Sequence, residues 1–215
     1  MDGNAAAVVV SGQTTGDYMT DAATSAFSID RLNAADAGAA NVLMEDIFER
    51  SPWLARRAVA ARPFAGPDAL AAWIEAEVLG LPQNEALRLL RAHPELAPPR
   101  PETMTAASQA EQAQLGLTLP GTEAADRLAR LNRAYAERHG FPFVIALHAQ
   151  AHLGAVLAQF ESRLANETEA ELARALGEVV SVMKARLARL TFAAAAGTPP
   201  RPASIPDPAE GRAAP

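Results

Sequence analysis

The chain has 215 residues, of which 49% are hydrophobic and only 5% aromatic, and its formal charge at neutral pH is −6. This negative charge disfavours nucleic acid and anionic membranes as partners, and the lack of cysteine excludes disulfides and a thiolate nucleophile. No apolar run reaches the roughly 20 residues that span a bilayer, and the N-terminus lacks the pattern of a secretory signal. We therefore expect a cytoplasmic protein.

An alanine-rich, aromatic-poor composition favours helices over sheets. We predict an all-α fold, a single-domain bundle of about seven to nine helices with flexible ends. Residues 1–26 have no periodicity and are predicted to form a flexible arm, residues 27–192 the helical domain, and residues 193–215 a disordered Pro/Ala-rich tail.

The first helices are predicted from apolar spacing and from start and stop residues. Apolar residues from Ala39 to Ile47 predict a helix that ends near Arg50. Ser51-Pro52 then predicts a helix start, with the serine hydroxyl as the cap and proline at the first helical position. A further helix is predicted to end at Gly80.

The stretch around the first histidine organises the rest of the chain. A helix over residues 83–92 leads into His93, and Pro94 forces this histidine out of helical geometry. A stiff, proline-rich loop then leads to Thr105, which we predict to be the N-cap of the next helix.

That next helix carries Ser108, Glu111, Gln112 and Leu115 at positions i, i+3, i+4 and i+7, which share one face. Three of them, Ser108, Glu111 and Gln112, have hydrogen-bonding side chains at positions where a core-facing stripe would be apolar. The face therefore either lines a pocket for a polar ligand or is an ordinary solvent-exposed helix surface.

Two readings of His93 remain open. A lone histidine at a helix C-terminus is often only a favourable charge at the negative end of the dipole. The same helix end would raise the pKa of His93 and keep a proton available, which suits a general acid. Glu111 alone would be read as a surface carboxylate, and only its neighbours on the same face argue for a site.

The second half of the chain has one ambiguous segment. A long helix is predicted to stop at Gly140, and the apolar run Phe141–Leu147 that follows fits either a buried strand or a buried helix start. Pro142 favours the helix start. Thr168 and Glu171 have the spacing of a capping box for the last helix.

His148 and His152 have the i, i+4 spacing that can chelate zinc. The glutamate of the metalloprotease signature is missing and no third ligand is near, so we predict no metal site. No glycine-rich phosphate loop occurs, so we predict no nucleotide cofactor either.

Several short motifs follow one another in a specific order: Phe48-Glu49-x-Ser51-Pro52-Trp53, His93-Pro94-Glu95-Leu96, Thr105-x-x-Ser108-x-x-Glu111-Gln112, Gly140-Phe141-Pro142-Phe143 and Arg163-Leu164-x-Asn166. Together they resemble the OHCU decarboxylase family, whose substrate is 2-oxo-4-hydroxy-4-carboxy-5-ureidoimidazoline (OHCU) in urate breakdown. The resemblance covers roughly residues 27–190.

The resemblance implies a cofactor-free, all-helical and usually homodimeric enzyme that releases CO2 and forms (S)-allantoin. The expected partner is then the small-molecule substrate, with no nucleic acid, membrane or metal. Two alternatives stay open: the same fold acting on a different ureido or hydroxy-acid compound, and a non-enzymatic helical binding module.

The resemblance also implies roles for single residues. His93 and Glu111 match catalytic positions, and Glu95 stands where the family usually has aspartate. Arg163 matches an arginine near the substrate, and the run from Phe143 offers mainly backbone contacts. The full set of implied substrate-binding residues is Pro94, Ser108, Gln109, Ala110, Gln112, Phe143, Val144, Ile145, Ala146, Leu147 and Arg163.

Overall fold

The computed structural model describes residues 27–117 and 122–196. Within these ranges the chain forms nine α-helices and no strand, which confirms the all-α prediction. The predicted arm, residues 1–26, and the tail beyond residue 196 lie outside the described residues. The last helix continues to Ala196, past the domain boundary predicted after residue 192.

The helices are short in the first half of the chain and longer in the second. Their bounds are α1 Ile29–Ala34, α2 Ala37–Met44, α3 Pro52–Ala60, α4 Pro67–Leu79, α5 Gln83–Ala92, α6 Ala106–Gln114, α7 Glu123–His139, α8 Leu153–Leu164 and α9 Thr168–Ala196. Two 3₁₀ turns, Pro101–Thr103 and Leu147–Ala149, lie in the connections before α6 and α8.

Helix α9 runs through the middle of the molecule and packs against α4, α5 and α7. Its buried apolar residues form the centre of the core: Ala175, Leu176, Val179, Val180, Met183 and Leu187. Glu171, Glu178 and Arg186 lie close to one side of the same helix. Helix α9 therefore carries charged groups into the interior together with the apolar ones.

Most predicted helix ends are confirmed, because caps depend on local sequence. The Thr105 side chain accepts a hydrogen bond from the Ser108 backbone N–H, and Gly140 ends α7 in the left-handed conformation with φ 78°. Ser51 is the N-cap residue of α3, which begins at Pro52 as predicted, but the predicted capping by the serine hydroxyl is wrong. The Ser51 side chain is fully buried, and its hydroxyl has no hydrogen-bond partner among the described residues.

The helix predicted to end near Arg50 is shorter than expected. Helix α2 ends at Met44, and the chain then turns, with Arg50 at a φ of 55°. This turn buries Phe48 and Glu49. It brings a carboxylate from the first quarter of the chain next to α6.

The segment Phe141–Ala146 is neither a strand nor the start of a helix, so the predicted helix start at Pro142 is wrong. The segment stays non-helical because side chains from α8 and α9 bind its backbone in place of helical partners. The Val144 carbonyl accepts a hydrogen bond from Arg163, and the Ala146 N–H donates one to Glu178.

The capping box predicted at the start of α9 is also wrong. Thr168 lies inside the helix, after Glu167, whose carbonyl accepts the backbone N–H of Glu171. The Glu171 carboxylate instead accepts hydrogen bonds from Arg163 and Asn166. A buried arginine competes for this carboxylate more strongly than a backbone N–H does.

Candidate active site

A small cavity of about 50 Å³ lies between α6, α9, the loop after α5 and the 143–147 segment. It brings together nine of the residues that the family resemblance places at the site: His93, Pro94, Ser108, Glu111, Gln112, Phe143, Val144, Ile145 and Leu147. Glu49, Leu96, Val182 and Arg186 complete the lining. The polar face of α6 is therefore a cavity wall, and the reading as a solvent-exposed helix surface is wrong.

His93 follows α5 directly, and Pro94 keeps it in an extended conformation. Its Nδ1 lies 2.9 Å from the carbonyl oxygen of Leu89. Because a carbonyl can only accept, Nδ1 carries the hydrogen and Nε2 is left with a free lone pair. No described residue hydrogen-bonds Nε2, so it can act as a base.

The pKa of His93 is lowered, chiefly because burial disfavours the charged imidazolium, although the Leu89 carbonyl and Glu49 act in the opposite direction. The expected rise of the His93 pKa from the helix C-terminus is wrong, and the general-acid role stays a prediction. Loss of solvation outweighs the helix dipole at this half-buried position. A neutral imidazole at neutral pH is suited to accept a proton first.

Arg186 of α9 lies between two carboxylates and is only 5% exposed. Its Nε and Nη2 donate to the two oxygens of Glu111, at 3.0 and 2.9 Å. Its Nη1 lies 2.8 Å from Oε2 of Glu49. We call Glu49, Glu111 and Arg186 the cavity cluster.

Glu49 is held by hydroxyl groups as well as by the arginine. Ser108 Oγ lies 2.9 and 2.7 Å from its two oxygens, and Thr105 Oγ1 also donates to it. Burial alone would raise the pKa of Glu49, but Thr105, Arg186 and Ser108 together lower it below the ordinary value. The Ser108 hydroxyl therefore already binds a protein carboxylate.

Glu111 differs from Glu49 in that it reaches the edge of the cavity. Arg189, which is 55% exposed, donates from Nη2 to Glu111 Oε1 at 2.8 Å. Burial raises the pKa of Glu111, and the hydrogen bonds and charges of Arg186 and Arg189 lower it by more. Glu111 is therefore ionised at neutral pH.

Gln112 binds the loop that follows His93. Its Oε1 accepts from the Ala97 N–H at 2.7 Å, and its Nε2 donates to the Glu95 carbonyl at 3.0 Å. Asn132 of α7 donates to the Leu96 carbonyl at 2.8 Å. These three bonds fix a tight loop in which Ala97 has a φ of 47°. The Gln112 amide thus supports the loop that carries the imidazole.

A family model described as OHCU decarboxylase matches residues 33–188, which include every residue of the cavity. The chain belongs to the OHCU decarboxylase family. The predicted family membership is therefore confirmed.

Two relatives and one solved structure illustrate the similarity. The 2-oxo-4-hydroxy-4-carboxy-5-ureidoimidazoline decarboxylase of Haloferax volcanii is 40% identical over 143 residues, covering 66% of this chain and 83% of that protein. The enzyme of the same name from Mus musculus is 37% identical over 162 residues, covering 74% and 90% respectively. The crystal structure of (S)-allantoin synthase matches with a TM-score of 0.59 and 26% identity, covering 76% of this chain and 53% of that one.

Arg163, which the resemblance to OHCU decarboxylase placed near the substrate, does not line the cavity. Its side chain is 2% exposed, and its Nε and Nη2 lie 2.8 and 2.5 Å from Oε1 of Glu171. Its Nη1 lies 3.6 Å from Oε1 of Glu178. We call Arg163, Glu171 and Glu178 the core cluster. The arginine that does face the cavity is Arg186.

Three other residues expected at the substrate also lie outside the cavity lining. Gln109 is turned towards the start of α6 and donates to the Met104 carbonyl at 3.1 Å. Ala110 is exposed, because it lies on the opposite face of α6 from Gln112. Ala146 is buried, and its N–H is bound by Glu178.

Sequence reasoning missed Glu49 and Arg186 as site residues. The motif around Phe48 contains Glu49, but the motif alone gave no reason to assign it a role. Arg186 is a charged residue inside an otherwise apolar stripe from Val179 to Leu187. That single interruption of a core-facing pattern was the signal that could have located it.

Within the described residues, no three histidine, aspartate or glutamate side chains are grouped in a way that could hold a metal ion. His152 is the N-cap of α8, and its Nδ1 accepts the Ala155 N–H at 3.1 Å. His148 Nε2 instead lies 3.3 Å from Ser181 Oγ. Among the same described residues, no helix is both long enough and apolar enough to cross a membrane.

Proposed function

We propose that this protein decarboxylates OHCU to (S)-allantoin and CO2. The observation that carries the proposal is a single cavity holding a neutral histidine base, an ionised glutamate and a buried arginine, in a chain of the OHCU decarboxylase family. Relatives at 40% and 37% identity are named for this reaction, and a structural neighbour is named (S)-allantoin synthase.

The chemical groups of the substrate suit a protein that supplies only acid–base and positioning groups. One ring carbon carries both the carboxylate and the hydroxyl, and the next carbon is joined by a double bond to a ring nitrogen. When the bond to the carboxylate breaks, its electron pair moves into this C=N bond and CO2 leaves. The ring nitrogen and the ureido-bearing carbon each gain a proton, while the hydroxyl loses one and becomes a carbonyl. The overall reaction therefore consumes one proton from solvent.

We assign His93 as the group that takes the hydroxyl proton at Nε2. The Nδ1–H bond to Leu89 orients the ring, and the lowered pKa keeps the imidazole neutral until substrate arrives. The resulting imidazolium can return a proton to the ureido-bearing carbon. Delivery from one side of the ring accounts for a single enantiomer of the product.

We assign Glu111 as the acceptor for hydrogen atoms on the hydroxyl or ureido group. Arg186 and Arg189 keep it ionised, so its oxygens only accept. A substrate carboxylate close to Glu111 would be repelled and poorly hydrated, and loss of neutral CO2 relieves both effects. Arg186 compensates one of the two negative charges of the cavity cluster, and Arg189 pairs with Glu111 from the cavity edge.

We further propose that the reaction needs no metal or organic cofactor, because the C=N bond of the substrate itself accepts the electron pair. Dialysis against a chelator should then leave the rate unchanged.

A homodimer in the cytoplasm is also our proposal, drawn from the resemblance to the family. Light scattering during size-exclusion chromatography should give about twice the mass of the chain.

The deciding experiment uses freshly prepared substrate, made from urate with uricase and hydroxyisourate hydrolase, and follows the circular dichroism of allantoin. The purified protein should speed the appearance of one enantiomer above the spontaneous decay, which gives a racemate. A rate and a product composition equal to those without protein would refute the proposed function. In that case the two alternatives, another ureido compound or a binding module, would have to be tested by ligand screening.

A further inference from the structure

The backbone of the 143–147 segment is held by side chains from two other helices. Arg163 of α8 donates from Nη1 to the Val144 carbonyl oxygen at 3.0 Å. Glu178 of α9 accepts the Ala146 N–H at Oε2, at 2.9 Å. Since buried backbone groups need partners, these two bonds take the place of a strand neighbour or a helical turn.

These two bonds also determine which way the backbone of Ile145 faces. In an extended chain alternate residues present their backbone groups to the same side, so with Val144 and Ala146 bound towards α8 and α9 we expect the N–H and C=O of Ile145 to point the other way. Neither Ile145 group hydrogen-bonds another described residue. Val144, Ile145 and Leu147 line the cavity, whereas Ala146 does not.

Arg163 is itself rigidly held. Glu171, which is fully buried, accepts from Arg163 Nε at 2.8 Å, from Asn166 at 2.6 Å and from the Tyr135 hydroxyl. The guanidinium also lies over the Phe143 ring, with 4.5 Å from its carbon to the ring centroid. An arginine fixed on three sides has little freedom to let the Val144 carbonyl move.

We infer that Arg163 and Glu178 are positioning residues for the decarboxylation: they hold the 143–147 segment so that the Ile145 N–H and C=O face the substrate. Neither side chain lines the cavity. A donor and an acceptor side by side match the –NH–CO– edge of a ureide, the group that the substrate carries on its ring and on its ureido arm. The inference rests on the proposed function and extends it to residues outside the cavity.

Glu178 gives the sharper test because its side chain is 17% exposed and can be changed with less damage to the core. In Glu178→Ala the Ala146 N–H loses its acceptor, and in Glu178→Gln the side-chain oxygen can still accept it. The matched control is Glu161→Ala, which removes a glutamate from an exposed ion pair with Arg127. Each variant is assayed for kcat, KM and thermal unfolding.

We expect Glu178→Ala to raise KM about tenfold while kcat changes by less than about threefold, because Ile145 would bind substrate and transition state alike. Glu178→Gln and Glu161→Ala should stay within about twofold of the unmodified protein in both constants. Faster hydrogen exchange at the Ala146 amide in Glu178→Ala, with global unfolding unchanged, would be the matching structural signature.

Three outcomes would overturn the inference: unchanged KM in Glu178→Ala, equal loss in Glu178→Ala and Glu178→Gln, or a loss confined to kcat. If Glu178→Ala does not fold, Arg163→Lys replaces it, since lysine cannot bind Glu171 and the Val144 carbonyl together. The same rise in KM is then expected, and its absence is equally decisive. Inactivity of the unmodified protein would refute the proposed function instead, so the two failures are distinct.

Discussion

The cavity cluster and the core cluster are built alike, each with one buried arginine between two glutamates. They differ in what lies beside them. Glu111 and Arg186 of the cavity cluster line a hollow that also contains His93. Glu171 of the core cluster is enclosed by protein and binds Tyr135 and Asn166. A buried ion pair alone therefore does not identify an active site. The cavity cluster is distinguished by lying next to a cavity that also contains a free base, His93.

The largest expected difference between the two regions concerns catalysis. His93→Ala should lower kcat by about 10²–10⁴-fold, the usual contribution of a general base, while thermal unfolding changes little. His148→Ala is the matched control, because that histidine is exposed and does not line the cavity. If the two variants kept equal stereoselective rates, the cavity would not be the catalytic region.

Glutamate-to-glutamine changes should affect mainly stability in the core cluster and mainly activity in the cavity cluster. Glu171→Gln leaves Arg163 without its buried counter-charge and should lower the free energy of unfolding by about 3–5 kcal/mol. Glu111→Gln should cost less, about 1 kcal/mol, since Arg186 keeps Glu49 as a counter-charge and the other partner of Glu111, Arg189, is exposed.

Activity should follow the reverse order for the same two variants. Glu111→Gln is expected to lower kcat/KM by about a hundredfold or more, because an amide cannot replace an ionised acceptor. Urea unfolding and steady-state kinetics measured on both proteins would check the pair of predictions. A Glu111→Gln protein that is destabilised and active would reverse the assignment of the two clusters.

A smaller change in the core cluster is expected from Tyr135→Phe. The tyrosine hydroxyl donates to Glu171, and the pKa of Tyr135 is raised well above its ordinary value, so this group is a neutral donor. Its removal should reduce the free energy of unfolding by about 1–2 kcal/mol. Denaturant titration would measure the loss, and an unchanged midpoint would show that the hydroxyl contributes nothing.

The smallest predicted effect is in the pH dependence. The pKa of His93 is lowered below 6.5, and the base must be neutral to act, so activity should fall only as the pH drops through a value under 6.5. The rate should be flat from there through neutral pH. A limb of kcat/KM centred above 6.5 would mean that the imidazole gains a proton more easily than its burial allows.

Local sequence rules predicted the helices and most of their ends correctly. The caps at Thr105 and Gly140 depend on residues a few positions away, and so does the helix start at Pro52. The exceptions have a physical cause in tertiary structure. The spacing of Thr168 and Glu171 predicts a capping box, but Tyr135 of α7 and Arg163 of α8 bind the Glu171 carboxylate.

The site was predictable where its residues share one helix face or one motif, as Ser108 and Glu111 do. It was not predictable for Arg186, which meets Glu111 across 75 positions of sequence. The assignment of Arg163 rather than Arg186 to the substrate shows the limit, because both arginines stand immediately before a leucine on a helix and only tertiary structure shows which one lines the cavity. The sign of the His93 pKa shift likewise depends on burial by groups that no local pattern contains.

One helix ties the two clusters together. Glu171 and Arg186 stand on the same uninterrupted α9, about 22 Å apart along its axis. Adding a single residue between Glu178 and Arg186 would turn the arginine by about 100° and advance it by about 1.5 Å, while the core cluster stayed in place. The number of residues in this stretch is therefore as constrained as their identity, and length variation should be confined to the loops.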